Sequence, residues 1–180
     1  MIIGIVGTIG SGKDEVAKFL SSYFGFPVVR LSDIIKIFLN NEKFDRKKLQ
    51  DLGNELRKKF GSDILVRIVT NFYKDNVIID GIRNVAEIEY LRKNFSKFML
   101  IGVDADLKTR FERVKKRGRE DDPKSFEEFL EMDKRDRGFE EPEYGQKTDE
   151  CLKLADVRIL NNEDFDIVKK KLISEVSQIL

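Results

Sequence analysis

The stretch GIVGTIGSGKDEV, residues 4–16, decides how the rest of this chain is interpreted. Gly7, Gly12 and Lys13 have the spacing G-x-x-x-x-G-K, between an apolar run at residues 2–6 and apolar residues at helical spacing from Val16 onward. Glycines allow successive backbone N–H groups to face one anion, and the N-terminus of the following helix adds its positive end. The stretch therefore predicts a strand, a phosphate-binding loop and a helix.

The loop supplies the candidate ligands of a nucleoside triphosphate, which are Gly7, Gly10, Ser11, Gly12, Lys13 and Asp14. Lys13 would reach the β- and γ-phosphates. Asp14 occupies the position where a hydroxyl residue usually helps to hold magnesium, and a carboxylate also binds this ion, directly or through water. We therefore expect ATP and Mg²⁺ as cofactors. Because Asp14 would repel phosphates without the metal, we expect a stronger metal requirement than a Ser or Thr would impose.

Short apolar segments alternate with helical patterns along the whole chain. Strands are predicted at residues 2–6, 27–31, 77–79, 98–103 and 157–160. This alternation predicts an α/β fold in which helices cover both faces of a parallel five-stranded sheet. We expect one domain over residues 1–180, with a mobile lid at about 113–124 and an acceptor-binding helical segment at about 32–72.

Composition narrows the function classes. The net charge of +1 provides no overall field that favours nucleic acid or membranes, and no apolar run approaches 18 residues. The single cysteine, Cys151, fits a reducing compartment, so a cytoplasmic protein is expected. The chain has no histidine, so acid–base work would fall to carboxylates, lysines or tyrosines. Monomer and homodimer both remain open.

A second acid follows an apolar strand. Asp80 ends the run Val-Ile-Ile-Asp and would orient metal-bound water or substrate, or else cap the turn before the next helix. Arg83 lies in the same turn and could bind a phosphate bidentately. Glu87 follows four residues later, so a helical Arg83–Glu87 ion pair is the alternative.

The only dense basic cluster comprises Arg110, Arg113, Lys115, Lys116, Arg117 and Arg119, and all of these except Arg110 fall in the predicted lid at about 113–124. Arg113 and Arg117 are about one helical turn apart and could clamp the transferring phosphates as a lid closes over them. Arg119 lies in the polar segment beyond that helix. A solvated basic face is the alternative for each of these residues.

Asp33 follows the second predicted strand, on the side of the sheet expected to face the acceptor. A hydroxyl acceptor would need a base at this position to take its proton. A phosphate acceptor is already an oxyanion and needs only positioning. Capping of the next helix, beside Ser32, is the structural alternative.

Three stretches together resemble the phage-type deoxynucleoside monophosphate kinases. They are the G-K-D form of the loop, LQDLGNELR with FGSD at residues 49–57 and 60–63, and DGIRN with Glu87 from residue 80 onward. The resemblance implies an acceptor-side helix, and Arg57 and Arg83 would hold the acceptor phosphate. One extra residue separates Asp80 from Arg83 relative to the family's D-x-R spacing. The same turn is similar to the D-G-x-P-R turn of adenylate kinases without its proline.

Residues 117–123 and 145–156 are similar to the kinase-like domain fused to some deoxycytidylate deaminases. The deaminase zinc site itself cannot be built from one cysteine and no histidine. LSDII at residues 31–35 is similar to a segment of dephospho-coenzyme A kinases, with Asp33 at the catalytic aspartate and Leu31 in place of the first acid.

The sequence therefore predicts a P-loop kinase that transfers phosphate from ATP to a nucleotide monophosphate, with a deoxynucleotide favoured. Lys13, Asp33, Arg113 and Arg117 are the candidate catalytic residues, and Asp33, Arg57, Asp80 and Arg83 the candidate acceptor ligands. Asp14 and Asp80 are the candidate metal ligands. Dephospho-coenzyme A or another hydroxyl acceptor is the alternative. A regulatory nucleotide-binding protein is the third reading, although the chain has neither an N-K-x-D motif nor a D-x-x-G switch at Asp80.

Overall fold

The computed structural model of this chain describes residues 1–39, 45–119 and 122–179. Parts of the predicted acceptor segment (residues 40–44) and of the predicted lid (residues 120–121) lie outside the described residues, as does Leu180. None of the helices in the described ranges is long and apolar enough to cross a membrane.

The five predicted strands form one parallel sheet. They are β1 (Ile2–Gly7), β2 (Val28–Arg30), β3 (Val77–Asp80), β4 (Phe98–Asp104) and β5 (Val157–Leu160), in the order β2-β3-β1-β4-β5. β1 is central and every residue of it is buried, as expected for a parallel strand covered on both faces. The predicted fold class is confirmed.

Nine helices occupy the described residues: α1 (Lys13–Phe24), α2 (Leu31–Ile37), α3 (Arg46–Phe60), α4 (Ile64–Phe72), α5 (Val85–Asn94), α6 (Leu107–Arg117), α7 (Phe126–Arg137), α8 (Thr148–Lys153) and α9 (Phe165–Ile179). Apolar residues of α1 and α9 pack on one face of the sheet, and those of α2 to α5 and α8 pack on the other. Side chains of β1 alternate between the two faces of the sheet. Ile3 and Ile5 pack on the face covered by α1 and α9, and Ile2 and Val6 pack on the opposite face.

Two predicted helix starts differ in the structure. β2 ends at Arg30 and α2 begins at Leu31, so Ser32 and Asp33 lie in the first helical turn and do not cap the helix. Before α5, Asn84 caps the helix in a capping box with Glu87, so Asp80 is not the capping residue. Neither Asp33 nor Asp80 therefore acts as a helix cap.

The carboxyl ends of β1 and β3 meet at one edge of the sheet, because Ile5 pairs with Asp80 in the parallel register. The loop after β1, the start of α2 after β2, and Asp80 at the end of β3 all gather there. In open parallel sheets this edge is where ligands bind.

Candidate active site

A cleft of about 1040 Å³ opens at this edge of the sheet. Its lining includes most of the predicted site residues: Gly10, Gly12, Lys13, Asp14, Asp33, Arg57, Asp80, Arg83, Arg113, Arg117 and Arg119. Gly7 ends β1 beneath the cleft, and Ser11 is buried behind the loop. Among the described residues that line it, eleven are Lys or Arg and four are Asp or Glu. A chain of net charge +1 thus concentrates its positive charge in one cleft.

The loop has the backbone conformation that its glycines predicted. Gly10 and Gly12 have φ values of 79° and 86°, and Gly12 directly precedes α1. L-residues with side chains rarely adopt these angles. A Cβ at Gly10 would also lie 2.5 Å from the carbonyl oxygen of Arg110. The loop therefore depends on glycine for conformation and for space.

Residues distant in sequence hold the loop in place. Thr8 Oγ1 donates to Asp104 Oδ1 at 2.6 Å, and Asn161 Nδ2 donates to the carbonyl oxygen of Ser11 at 2.8 Å. Arg110 Nη1 donates to the carbonyl oxygen of Ile9 at 3.1 Å, while its guanidinium pairs bidentately with Asp133 at 2.5 and 3.0 Å.

The alternative of a solvated basic face is wrong for Arg110, since only 2% of this residue is exposed. Its role is to support the phosphate loop from α6. The sequence signal that could have found it is weak, because Asp133 lies 23 residues away on another helix.

Asp14 pairs with two cations. Lys13 Nζ donates to Asp14 Oδ1 at 2.9 Å, and Arg119 Nη2 donates to Asp14 Oδ2 at 3.2 Å. The positive charge of Lys13, with help from Arg119, holds the pKa of Asp14 well below its usual range. The loop lysine and a lid arginine thus share one ionised carboxylate at the entrance to the phosphate site.

Asp80 is a buried carboxylate without a full set of partners. It is 2% exposed, its Oδ1 has no hydrogen-bond partner within the described part of the chain, and the nearest Arg30 nitrogen is 3.7 Å from Oδ2. Burial raises the pKa of Asp80, the charge of Lys13 opposes that rise, and the negative charge of Asp14 adds to it. A cation between Asp14 and Asp80 would relieve this repulsion.

The residues present fit Mg²⁺. Two carboxylates at the phosphate site offer the hard oxygen donors that this ion prefers. Within the described ranges, no group of three or more His, Cys, Asp or Glu side chains could hold a metal without other ligands. Mg²⁺ commonly binds through one or two carboxylates, with phosphate oxygens and water completing the shell.

Arg57 is buried in a salt bridge that the sequence did not indicate. Its Nε and Nη2 donate to Glu87 Oε1 at 3.2 and 2.9 Å, and both residues are at most 2% exposed. The helical Arg83–Glu87 ion pair weighed from the sequence is not formed. Glu87 Oε2 instead accepts the backbone N–H of Arg83 at 2.8 Å, and the guanidinium of Arg83 lies elsewhere.

Arg83 reaches across to the segment after α7. Its Nη1 contacts Asp136 Oδ1 and donates to Gln146 Oε1 at 2.7 Å. Burial lowers the pKa of Arg83, and the positive charges of Arg46 and Arg57 add to this effect. Crowded guanidinium groups of this kind favour the arrival of an anion.

Asp33 lines the cleft from the first turn of α2, but it is not a sheltered base. Its side chain is 52% exposed and accepts a hydrogen bond from Lys36 Nζ at 2.8 Å.

The three arginines of the predicted lid, Arg113, Arg117 and Arg119, have different contacts. Arg113 Nη1 lies 3.4 Å from the carbonyl oxygen of Ser11, and Arg119 reaches Asp14.

Arg117 is held by a lid partner. Its Nε and Nη2 donate to the two carboxylate oxygens of Asp122 at 2.8 and 2.6 Å. Burial of Asp122 raises its pKa, but the hydrogen bonds and charge of Arg117 outweigh this and bring the pKa below its usual value. Of the predicted clamp, Arg113 therefore contacts the phosphate loop, whereas Arg117 pairs within the lid.

We expect Asp80→Asn to raise the stability of the ligand-free protein at pH 7 by about 1 kcal/mol, because it removes a buried, incompletely paired charge. A gain of roughly 3 °C in Tm would follow for a chain of this size. Since the folded-state pKa is raised, ionisation costs stability as the pH rises above the ordinary Asp value. The gain should therefore shrink as the pH falls toward about 4, the ordinary pKa of Asp, because below that value the carboxyl becomes protonated in both states.

Thermal unfolding between pH 4 and pH 8 checks this, with Asp75→Asn as an exposed control. A lower Tm for Asp80→Asn at pH 7 would mean that attraction to Lys13 and Arg30 outweighs the burial of the carboxylate.

Comparisons with known proteins agree with this architecture. The family described as "AAA domain" matches residues 3–137. A UPF0200 protein of Pyrococcus horikoshii is 34% identical over 190 residues, which cover 100% of this chain and 98% of that protein.

Two solved kinases are similar in structure. Shikimate kinase from Aquifex aeolicus has a TM-score of 0.61 at 14% identity, over 99% of this chain and 98% of that one. Deoxyadenosine kinase from M. mycoides has a TM-score of 0.59 at 16% identity, over 99% and 100% of the two chains. At these identities the likeness establishes a shared P-loop kinase-like fold and leaves the acceptor open.

Proposed function

The chain belongs to the AAA domain family and to the UPF0200 proteins, and from this premise we propose that it transfers the γ-phosphoryl group of ATP to a nucleoside monophosphate, with a deoxynucleotide favoured. The observation that carries the proposal is the charge of the cleft, whose described lining residues include eleven cationic side chains and four anionic ones. Two phosphorylated substrates would balance this excess, whereas a neutral acceptor would leave much of it uncompensated.

Donor binding would rest on the loop after β1. Its backbone N–H groups and the N-terminus of α1 would surround the phosphates, and Lys13 would move from Asp14 to the β- and γ-phosphates. Arg113 and Arg119 already lie against the loop and Asp14, so they could follow the developing charge on the transferred group. Arg117 would first have to leave Asp122.

Asp14 and Asp80 are the residues that would hold Mg²⁺. When bound, the ion neutralises charge on the donor phosphates and orients them. Asp14 would exchange its pairing with Lys13 and Arg119 for the metal, and the unpartnered Oδ1 of Asp80 is a ready oxygen donor.

The acceptor phosphate would lie between Arg57 and Arg83. Each guanidinium lines the cleft and has a carboxylate partner behind it, Glu87 or Asp136, which fixes its orientation. Positioning alone suffices for a phosphate acceptor, because its oxygen is already anionic and needs no base. Asp33 would contact the sugar or the base.

A hydroxyl acceptor such as dephospho-coenzyme A is the second candidate. The observation that favours it is the position of Asp33, which lines the cleft with a carboxylate that is half exposed and within reach of an incoming hydroxyl. Asp33 would then act as the general base.

Coupled ADP-release assays test the proposal, with ATP as donor and a panel of nucleoside monophosphates, nucleosides and dephospho-coenzyme A as acceptors. We expect monophosphates to stimulate turnover above the rate of ATP hydrolysis. Turnover stimulated only by dephospho-coenzyme A or a nucleoside would favour the hydroxyl kinase. No stimulation by any acceptor would favour a nucleotide-binding regulatory protein.

Asp33→Asn distinguishes a kinase with a phosphate acceptor from a kinase with a hydroxyl acceptor. With a phosphate acceptor we expect mainly a raised KM, because Asp33 only positions the acceptor. With a hydroxyl acceptor, loss of the base should lower kcat by about 10². Steady-state kinetics measure the effects on kcat and KM separately. Asp166→Asn is the matched control, because Asp166 forms the same kind of i,i+3 pair with Lys169 on α9. A kcat loss with a monophosphate would contradict the positioning role.

A further inference from the structure

One face of α3 lines the cleft with Gln50, Gly53 and Arg57, which recur at helical spacing. Gly53 lies in the middle of a 15-residue helix, where glycine is unfavourable. A Cβ at this position would lie 3.0 Å from Ile35 Cδ1 and 3.4 Å from Arg57 Nη1. The glycine therefore keeps space open beside the guanidinium that the proposed function assigns to the acceptor phosphate.

Gln50 contributes a polar group that the protein does not satisfy. It is 8% exposed, and its Nε2 has no hydrogen-bond partner among the residues that the structure describes. A buried donor without a partner destabilises the fold, so native proteins rarely keep one without a use for it. Since Gln50 lines the cleft, a ligand bound there could accept the hydrogen bond from Gln50 Nε2.

Gln146 faces the same cleft from the segment after α7 and is 2% exposed. Its Oε1 accepts from Arg83 Nη1 at 2.7 Å. Because a guanidinium only donates, the amide oxygen must face Arg83, and the NH₂ group is left for another partner. The segment is anchored on both sides of Gln146, since Asn84 Nδ2 donates to the carbonyl oxygen of Gly145 at 2.8 Å and the Lys147 N–H donates to that of Arg83 at 2.6 Å.

We propose that Gln50 and Gln146 recognise the base of the acceptor, by donating their amide N–H groups to ring nitrogen or carbonyl oxygen atoms. This inference rests on the proposed function and names its substrate class, a monophosphate that carries a heterocyclic base. Ile35, Leu49 and Leu65 line the cleft from α2, α3 and α4 and supply the apolar surface that suits a planar ring.

The arrangement also links base and phosphate recognition. Arg83 contacts the acceptor phosphate in the proposed function and orients Gln146 by the same guanidinium. Gln50 lies two helical turns before Arg57 on α3, so one helix presents a contact for each end of the acceptor. A site built to hydrogen-bond a substrate discriminates strongly against analogues that lack the bonded group.

Gln50→Leu tests the proposal with four deoxynucleoside monophosphates (dAMP, dCMP, dGMP and dTMP) and with 2-deoxyribose 5-phosphate, which has no base. We expect the wild type to prefer at least one base-bearing acceptor. In Gln50→Leu this preference in kcat/KM should fall by about 10-fold or more through KM, with the base-free acceptor unaffected. Gln146→Leu should also lower the base preference, but because it removes a hydrogen-bond partner of Arg83 it should raise KM for the base-free acceptor as well. The Gln50 variant removes an unsatisfied donor, so it should fold, and Tm confirms this.

Gly53→Ala supplies a second variant with a different signature. It should raise KM for base-bearing and base-free acceptors alike, because its Cβ would lie 3.4 Å from Arg57 Nη1, beside the proposed phosphate position. Tm should stay close to that of the wild type, since the gain from alanine in a helix offsets the 3.0 Å contact with Ile35 Cδ1. Glu55→Gln, at an exposed position of α3, is the control and should change neither quantity.

The outcomes separate this inference from the proposed function. Equal losses with base-bearing and base-free acceptors in Gln50→Leu, or no loss with either, would overturn the inference and leave the reaction standing. If no acceptor turns over, calorimetric binding of the same compounds decides. A base preference in binding that Gln50→Leu abolishes would support the pocket and overturn only the reaction, and the absence of such a preference would overturn the inference.

Discussion

Lys13→Ala is expected to lower kcat for phosphoryl transfer by about 10³-fold, the largest effect of any single substitution on activity. The ammonium group is the only side-chain cation that the G-x-x-x-x-G-K spacing places on the β- and γ-phosphates. Its reach into the site is already apparent in the 2.9 Å hydrogen bond to Asp14 at the start of α1. Phosphoryl transfer depends on positioning and charge stabilisation, so loss of this charge affects the chemical step directly.

The measurement is single-turnover transfer from ATP at saturating nucleotide, which separates weaker binding from slower chemistry. Lys93→Ala, at an exposed position of α5, is the control and should retain wild-type rates. Retained transfer in Lys13→Ala would contradict the assignment of this loop as the donor site.

The second large effect is on stability. Arg57→Met should lower the free energy of unfolding by about 3–5 kcal/mol, because it leaves the ionised Glu87 buried without its partner. Glu87 is fully buried and also caps α5 through the backbone N–H groups of Arg83 and Asn84. The substitution also removes the salt bridge that joins α3 to α5.

The double variant Arg57→Met with Glu87→Gln should recover most of the loss, since it removes both charges and keeps a side-chain oxygen for the cap. Urea denaturation of the wild type, both single variants and the double variant gives the coupling energy. A double variant no more stable than Arg57→Met would show that the pair does not interact as described. Arg57→Lys keeps the charge and tests the acceptor role separately through KM.

The Arg57–Glu87 pair also illustrates where sequence reasoning fails. The i,i+4 spacing of Arg83 and Glu87 favoured a local pair, and helix rules consider only such neighbours. In the structure, Glu87 is buried against a guanidinium 30 residues away, and Arg83 turns to Asp136 and Gln146. For a buried ion pair, the partner of each charged group depends on which helices pack together. Spacing along the chain does not predict that packing.

Arg110 gives the same lesson for charge. The sequence placed it in a run of basic residues that continues into the predicted lid, yet it supports the phosphate loop from a buried position beside Asp133. The overall charge of +1 likewise concealed a strongly positive cleft. Most of the acidic residues that balance the positive charge of the chain lie outside the cleft or pair with the arginines that line it. Composition therefore could not predict the electrostatic field inside the cleft.

The sequence by itself determined the five strands, the alternation that makes the sheet parallel, and the loop from Gly7 to Asp14. These are properties of local pattern, since apolar periodicity and glycine spacing act over a few residues. Only the tertiary structure decided which cations face the substrate and which support the fold. It also brought Gln50, Gly53 and Gln146 into the cleft. The first two belong to the predicted acceptor-side helix and the third to the similar stretch at 145–156, but neither resemblance had given these residues a role. Their environment depends on how α3 and the segment after α7 pack, and that packing results from contacts between residues far apart in the chain.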